Sequence, residues 1–134
     1  MEKFILTLSF IFISVFSISQ NNKIFKLKAK QITMKTTTTE YGKPAIVDFL
    51  VAIDYDIGRI IFYRDKKEIY DIIKINATEK NEGGSITCYT CINEYLKEYE
   101  ICDYAANTMD KVIFTLKEKN STVTTMIICA YIND

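Results

Sequence analysis

Short segments in which apolar and polar residues alternate recur along the chain, and this alternation constrains the fold more than any other feature. A period of two is typical of a strand with one buried and one solvated face. Residues 25–30 alternate Phe, Leu and Ala with lysine, and residues 111–117 alternate in the same way. About three in ten of residues 20–134 are Ile, Val or Thr, which favour strands. The sequence therefore predicts an all-β domain.

The predicted strands follow one another at the spacing of hairpins. Further alternating or apolar segments lie at residues 45–53, 59–64, 69–77, 85–92 and 122–132. No helical pattern of ten or more residues separates them, which argues against a parallel sheet with helical crossovers. Residues 93–106 favour a loop followed by a strand, with a short helix as the alternative. We expect an antiparallel meander of seven to eight strands, closed as a small barrel or packed as a sandwich.

The alternation also predicts which side chains point inward. After Ala29 the apolar phase slips by one residue to Ile32 and Met34, as a β-bulge near Lys30–Gln31 would produce. Other predicted inward rows are Ala45, Val47, Phe49, Val51 and Ile53, followed by Ile69, Ile73, Ile75 and Ala77.

The first nineteen residues indicate export. A short start, Met1-Glu2-Lys3, precedes an apolar run at residues 4–18, and Ser17 and Ser19 place small residues two apart. This pattern is typical of a cleavable signal helix, because a spanning helix needs about 20 apolar residues. We expect cleavage after residue 19 and a single mature domain at 20–134. An uncleaved membrane anchor and a buried hydrophobic strand are the alternatives.

The end of this segment, Val-Phe-Ser-Ile-Ser-Gln at residues 15–20, precedes an Asn- and Lys-containing start. It resembles the export signals of small proteins from Bacteroidota, and the resemblance is confined to about the first twenty residues. The resemblance implies export across the inner membrane of a Gram-negative cell, to the periplasm, the cell surface or the medium. It implies no catalytic residue. We expect no stable membrane anchor after cleavage.

The composition excludes several classes of function. Seventeen Lys and Arg balance seventeen Asp and Glu, so no global field draws nucleic acid to the surface. The absence of His excludes His-based triads and His-containing zinc sites. The chain also lacks a Gly-x-Ser-x-Gly elbow and a phosphate-binding Gly loop. We therefore expect a protein that is not an enzyme, with no cofactor, no metal and no nucleic-acid partner.

Four cysteines, Cys88, Cys91, Cys102 and Cys129, are disulfide candidates in an exported chain. If Cys88 and Cys91 share a strand, they point to opposite faces, which disfavours a bond between them. Cys88 is then the expected inward residue, with Cys102 or Cys129 as its partner. Free core thiols, a Cys-only zinc site and a redox Cys-x-x-Cys remain alternatives. A zinc site is weakly supported because a second Cys-x-x-Cys is missing.

Acidic residues give two weak signals. Asp54-x-Asp56-x-Gly58 resembles the start of a calcium loop, but glycine occupies the fifth position, so a hairpin turn is expected. A hydrolase would need two converging carboxylates. The available acids are Asp54, Asp56, Glu94, Glu98, Glu100 and Asp103.

A tyrosine- and glutamate-rich segment is the predicted binding site, on Tyr95, Glu98, Tyr99 and Tyr104. Tyrosine supplies contact area at low entropic cost, and loops on rigid scaffolds often carry recognition. In the alternative interpretation these rings pack inward. The lysines of the first strand would then protect a sheet edge from aggregation.

These observations favour a non-catalytic exported module that binds a protein or a small apolar ligand. As a carrier of an apolar ligand, the barrel would have an internal cavity lined by residues such as Phe49, Phe62 and Phe114. A hydrolase with paired carboxylates is the third hypothesis.

Overall fold

The computed structural model describes residues 24–36, 38–106 and 110–132, so the predicted signal segment 1–19 and its cleavage point lie outside the described residues. Eight strands form in this part of the chain. They are β1 (Ile24–Thr36), β2 (Ala45–Asp54), β3 (Arg59–Tyr63), β4 (Lys67–Asn81), β5 (Gly84–Asn93), β6 (Glu98–Ala106), β7 (Lys111–Glu118) and β8 (Val123–Tyr131). No helix in the described residues is long and apolar enough to span a membrane.

The strands close into an antiparallel barrel in which each pairs with the next and β8 pairs with β1. The predicted meander is confirmed, and the barrel is the correct choice between barrel and sandwich. Residues 94–96 form a turn before β6, which confirms the loop-then-strand interpretation of this segment. Full closure leaves most backbone groups paired on both sides of each strand.

The first strand contains the predicted bulge. The register of β1 shifts between Ala29 and Gln31 against both β2 and β8. Because β1 has a neighbour on each side, the expectation that its lysines protect a sheet edge is wrong. Lys28 and Lys30 lie on the outer wall instead, with their Nζ atoms 3.2 and 3.9 Å from Asp48 Oδ1.

Side chains fill the middle of the barrel. Phe114, Phe62, Tyr70 and Tyr99 form an edge-to-face column, with successive ring centroids 5.9, 5.7 and 5.1 Å apart. Eight strands enclose an interior that side chains can just fill. Besides Phe62 and Phe114, the largest fully buried side chains among the described residues are Leu27, Ile60, Ile101, Ile127, Val51, Cys91 and Cys129.

The predicted inward row on β4 is wrong. Tyr70 points inward and is 5% exposed, whereas Ile73 and Ile75 are 55% and 63% exposed. The register of β4 shifts twice against β5, after Ile72 and after Ile75, and each extra residue reverses the phase. The β3 ladder also ends at Asp71, so the later part of β4 pairs only with β5.

The cysteines separate into one bond and two buried thiols. Cys88 and Cys102 lie directly opposite each other on β5 and β6 and form a disulfide, with Cα atoms 4.0 Å apart. The prediction that Cys88 points inward is wrong, because Tyr89 and Cys91 hold the buried positions of β5. Isoleucines also occupy the outer face of β5, which is partly covered, so the alternation of the sequence does not distinguish the buried face of this strand from the outer one. Cys91 and Cys129 are free and buried.

Candidate functional site

The two ends of the barrel differ. We call the end at which β1 begins and β8 ends the open mouth. We call the other end, at the β3–β4, β5–β6 and β7–β8 connections, the plugged mouth. The open mouth contains a cavity of about 400 Å³, within the range of small-molecule sites. Six of its twelve lining residues are apolar: Phe25, Leu27, Ile53, Ala105, Val112 and Phe114.

Six side chains with a polar group line the same cavity: Tyr55, Ser85, Thr87, Tyr89, Asp103 and Tyr131. Strand register explains their convergence, because Thr87 lies opposite Asp103 and Asp103 lies opposite the buried Phe114. Side chains in one cross-strand row project to the same face of a sheet. Asp103 therefore points into the barrel.

The β2–β3 turn places Tyr55 at the rim. Asp54 Oδ1 accepts hydrogen bonds from the backbone N–H groups of Asp56 and Ile57, at 3.0 and 3.4 Å. Gly58 adopts a φ of 68°, which glycine reaches without steric cost. The segment that resembles a calcium loop is therefore a turn that uses its first aspartate to bind its own backbone.

A short chain of hydrogen bonds holds the carboxylate. Tyr89 Oη donates to Asp103 Oδ2 at 3.1 Å, and the Thr87 side chain is hydrogen-bonded to Tyr89. Burial raises the pKa of Asp103, and the hydrogen bond from Tyr89 partly opposes this effect. Burial and then the charge of Asp103 raise the pKa values of Tyr89 and Tyr55. Among the described residues, no cationic side chain pairs with Asp103.

The plugged mouth is organised differently. Arg64 Nη1 lies 3.3 Å from Glu68 Oε1, and Tyr70 Oη donates to Glu68 Oε2 at 3.1 Å. The Arg64 guanidinium also lies 5.9 Å from the centroid of the Phe49 ring. With Tyr99 against Tyr70, these groups line a hollow of about 250 Å³ inside this end of the barrel.

The four predicted binding residues lie in two different parts of the barrel. Tyr95 lies on the β5–β6 turn and is 79% exposed, and Glu98 pairs with Lys119 at 3.1 Å. Tyr99 packs into the plugged mouth against Tyr70. Tyr104 lies five residues further along β6, about 17 Å away at the rise of a strand. The structure thus brings the first three to one end of the barrel and Tyr104 towards the other.

A hollow of about 470 Å³ does lie beside the predicted segment, between the β3–β4 and β5–β6 turns. Its lining includes several charged side chains: Lys66, Lys67, Glu68, Glu94 and Lys97. Five of its ten lining residues are therefore charged, whereas Asp103 is the one charged residue among the twelve that line the open-mouth cavity.

Sequence reasoning named Asp103 as a candidate hydrolytic acid and as one of the charges of the tyrosine- and glutamate-rich segment, and it missed Tyr55, Thr87 and Tyr89. The available signal was the phase of β6, since Asp103 occupies the same alternating row as Ile101 and Ala105. None of the other acids considered for hydrolysis lines the cavity. Of the three phenylalanines expected to line a cavity, Phe114 does, whereas Phe49 and Phe62 belong to the packed core.

The remaining reactive groups are shielded. Burial raises the pKa values of the Cys91 and Cys129 thiols to about 12, so both remain protonated near pH 7. Across the described residues, no group of three or more Cys, Asp, Glu or His side chains could hold a metal ion.

No protein-family model, curated protein or solved structure matches this chain.

Proposed function

We propose that the protein is a non-catalytic binding module whose ligand is a small molecule with a mainly apolar body, bound in the open mouth of the barrel. The observation that carries this proposal is the cavity of about 400 Å³ inside that mouth. Part of the cavity wall is apolar, and release of water from that part favours binding by about 25 cal/mol for each Å² of apolar surface covered.

The filled core supports binding at this end rather than passage through the barrel. Phe62 and Phe114 are 1% and 0% exposed and lie edge to face across the interior. A ligand that enters the open mouth therefore meets a floor, formed in part by Phe114, and leaves by the same mouth. Because the floor and the walls are rigid, few side chains lose conformational freedom when the ligand binds, and the entropic cost of binding is small.

We also propose that the domain works outside the inner membrane, in the periplasm, at the cell surface or in the medium. The N-terminal sequence pattern supports export. The disulfide between Cys88 and Cys102 is compatible with an oxidising compartment.

Titration with pyrene, a neutral fluorescent hydrocarbon that reports apolar surroundings, tests the proposed binding. We expect saturable binding of one pyrene per chain. Ala105→Phe fills the cavity, so pyrene could enter only by overpacking it. Binding should therefore weaken about tenfold or more, the affinity equivalent of that overpacking cost. Ala77→Phe is the matched control, because Ala77 is exposed on β4 and the same side chain there leaves the cavity empty.

Circular dichroism of both variants checks that the strands persist. The proposal is contradicted if pyrene does not bind, or if Ala105→Phe and Ala77→Phe bind it as tightly as the natural sequence does.

A further inference from the structure

We propose that the ligand of the open mouth carries a cationic amine head group, which binds the carboxylate of Asp103 while the apolar body fills the cavity. This inference rests on the proposed function and adds the charge of the ligand. It is carried by a difference between the carboxylates at the two ends of the barrel.

At the plugged mouth, each carboxylate that lines the interior has a cation. Glu68 lies 3.3 Å from Arg64, and Glu118 Oε1 lies 3.8 Å from Lys97 Nζ. Asp103 has no such partner among the described residues. A partly buried carboxylate without a counter-ion loses hydration, which the hydrogen bond from Tyr89 replaces only in part. A cation supplied by a ligand would restore this balance at the open mouth.

The geometry leaves one side of the carboxylate for a ligand. Tyr89 Oη donates to Asp103 Oδ2, and Thr87 in turn is hydrogen-bonded to Tyr89, so one carboxylate oxygen already has a partner before a ligand arrives. Within the described residues, no hydrogen bond from another side chain reaches Oδ1 of Asp103. An ammonium group offers three donors and forms short, charge-assisted bonds with such an oxygen.

Aromatic rings beside the carboxylate favour the same charge. Tyr55 and Tyr89 line the cavity, and the charge of Asp103 acts on both phenols. The faces of phenol rings attract cations, most strongly where water is excluded. An anionic head group would instead meet the repulsion of Asp103 in surroundings of low polarity. Carboxylate and rings together therefore select an amine over a neutral or acidic head.

Calorimetric titration at pH 7 with octylamine, octanol and octanoate tests the inference, because the three probes share one chain and differ in the charge of the head. We expect the natural sequence to bind octylamine about tenfold more tightly than octanol, the scale of a hydrogen bond to a charged group. Octanoate should bind most weakly.

Asp103→Asn removes the charge and keeps an oxygen that can accept the hydrogen bond from Tyr89. We expect it to lose the preference for octylamine and to retain octanol binding. Asp48→Asn, which removes a carboxylate from the outer wall beside Lys28, is the matched control and should keep the preference. Equal binding of octylamine and octanol by the natural sequence would overturn the inference, as would an unchanged preference in Asp103→Asn.

One further variant tests whether the cation that binds Asp103 comes from a ligand or from the chain itself. Lys23 immediately precedes β1 in the sequence. We expect Lys23→Gln to bind octylamine as the natural sequence does. Octylamine binding that appears only in Lys23→Gln would show that the chain supplies the cation, and would overturn the inference. Failure of the inference alone leaves pyrene and octanol binding intact, whereas failure of the proposed function removes both.

Discussion

At the scale of single residues, the stability of the barrel depends on the protonation of Asp103. Burial raises its pKa above that of an ordinary aspartate, so the folded state holds this proton more tightly than the unfolded chain. The free energy of unfolding therefore falls as the pH rises from the unfolded pKa, about 3.9, through the raised folded pKa. Below that window the carboxyl is neutral in both states and carries no penalty.

We therefore expect Asp103→Asn to be more stable than the natural sequence at pH 7 and to lose this advantage as the pH falls to 3. Urea unfolding across this range, relative to Asp48→Asn, measures the effect. The other titratable groups that line the cavity with Asp103 are three phenols, Tyr55, Tyr89 and Tyr131, and the pKa values of Tyr55 and Tyr89 are raised. A stability difference that does not change with pH would show that Asp103 is not desolvated.

Individual inward residues were predictable wherever alternation was regular. Leu27, Phe114 and Cys129 are buried as the pattern predicts. Asp103 was missed as an inward residue because a charged side chain is normally assigned to the solvated face, and only its register against Phe114 shows otherwise. A binding residue that departs from the pattern is therefore hard to identify from the pattern alone.

At the scale of the elements, the β5–β6 hairpin is fixed by both its ladder and its disulfide. The bond joins residues separated by 14 positions, so it restricts the unfolded chain by about 3 kcal/mol. We expect the double variant Cys88→Ala, Cys102→Ala to lose about this much free energy of unfolding in urea. It should keep the β-sheet spectrum, since the core of the barrel does not include either residue.

Reductant provides the control for this prediction. Dithiothreitol should lower the stability of the natural sequence to that of the double variant and leave the double variant unchanged. A natural sequence that is insensitive to reductant in urea would contradict a bond between these cysteines.

The two bulged strands show why elements differ in how well they can be predicted. In β1 a single slip interrupts an otherwise regular alternation of apolar residues and lysines, so the bulge at Ala29–Gln31 could be located from the sequence. In β4 two slips fall within a few residues, and Ile72, Ile73 and Ile75 present isoleucine in both phases. The position of the strand was predictable there, but its buried face was not.

At the scale of the whole molecule, the site exists because the sheet closes. Closure pairs β1 with β8, two strands that are separated in sequence by nearly the full length of the described chain. No local pattern encodes that pairing. Alternation therefore predicted the meander but did not decide whether the meander closes as a barrel or packs as a sandwich. The aromatic column then fills the barrel from the middle to one end, which leaves the cavity at the other end.

Backbone amide chemical-shift mapping during titration with octylamine tests most directly whether the binding surface is the inside of the open mouth. We expect the largest shifts at Leu27, Ile53, Asp103 and Phe114, and no response at Tyr95 on the β5–β6 turn. Shifts confined to that turn, or spread over the outer wall without saturation, would contradict this expectation.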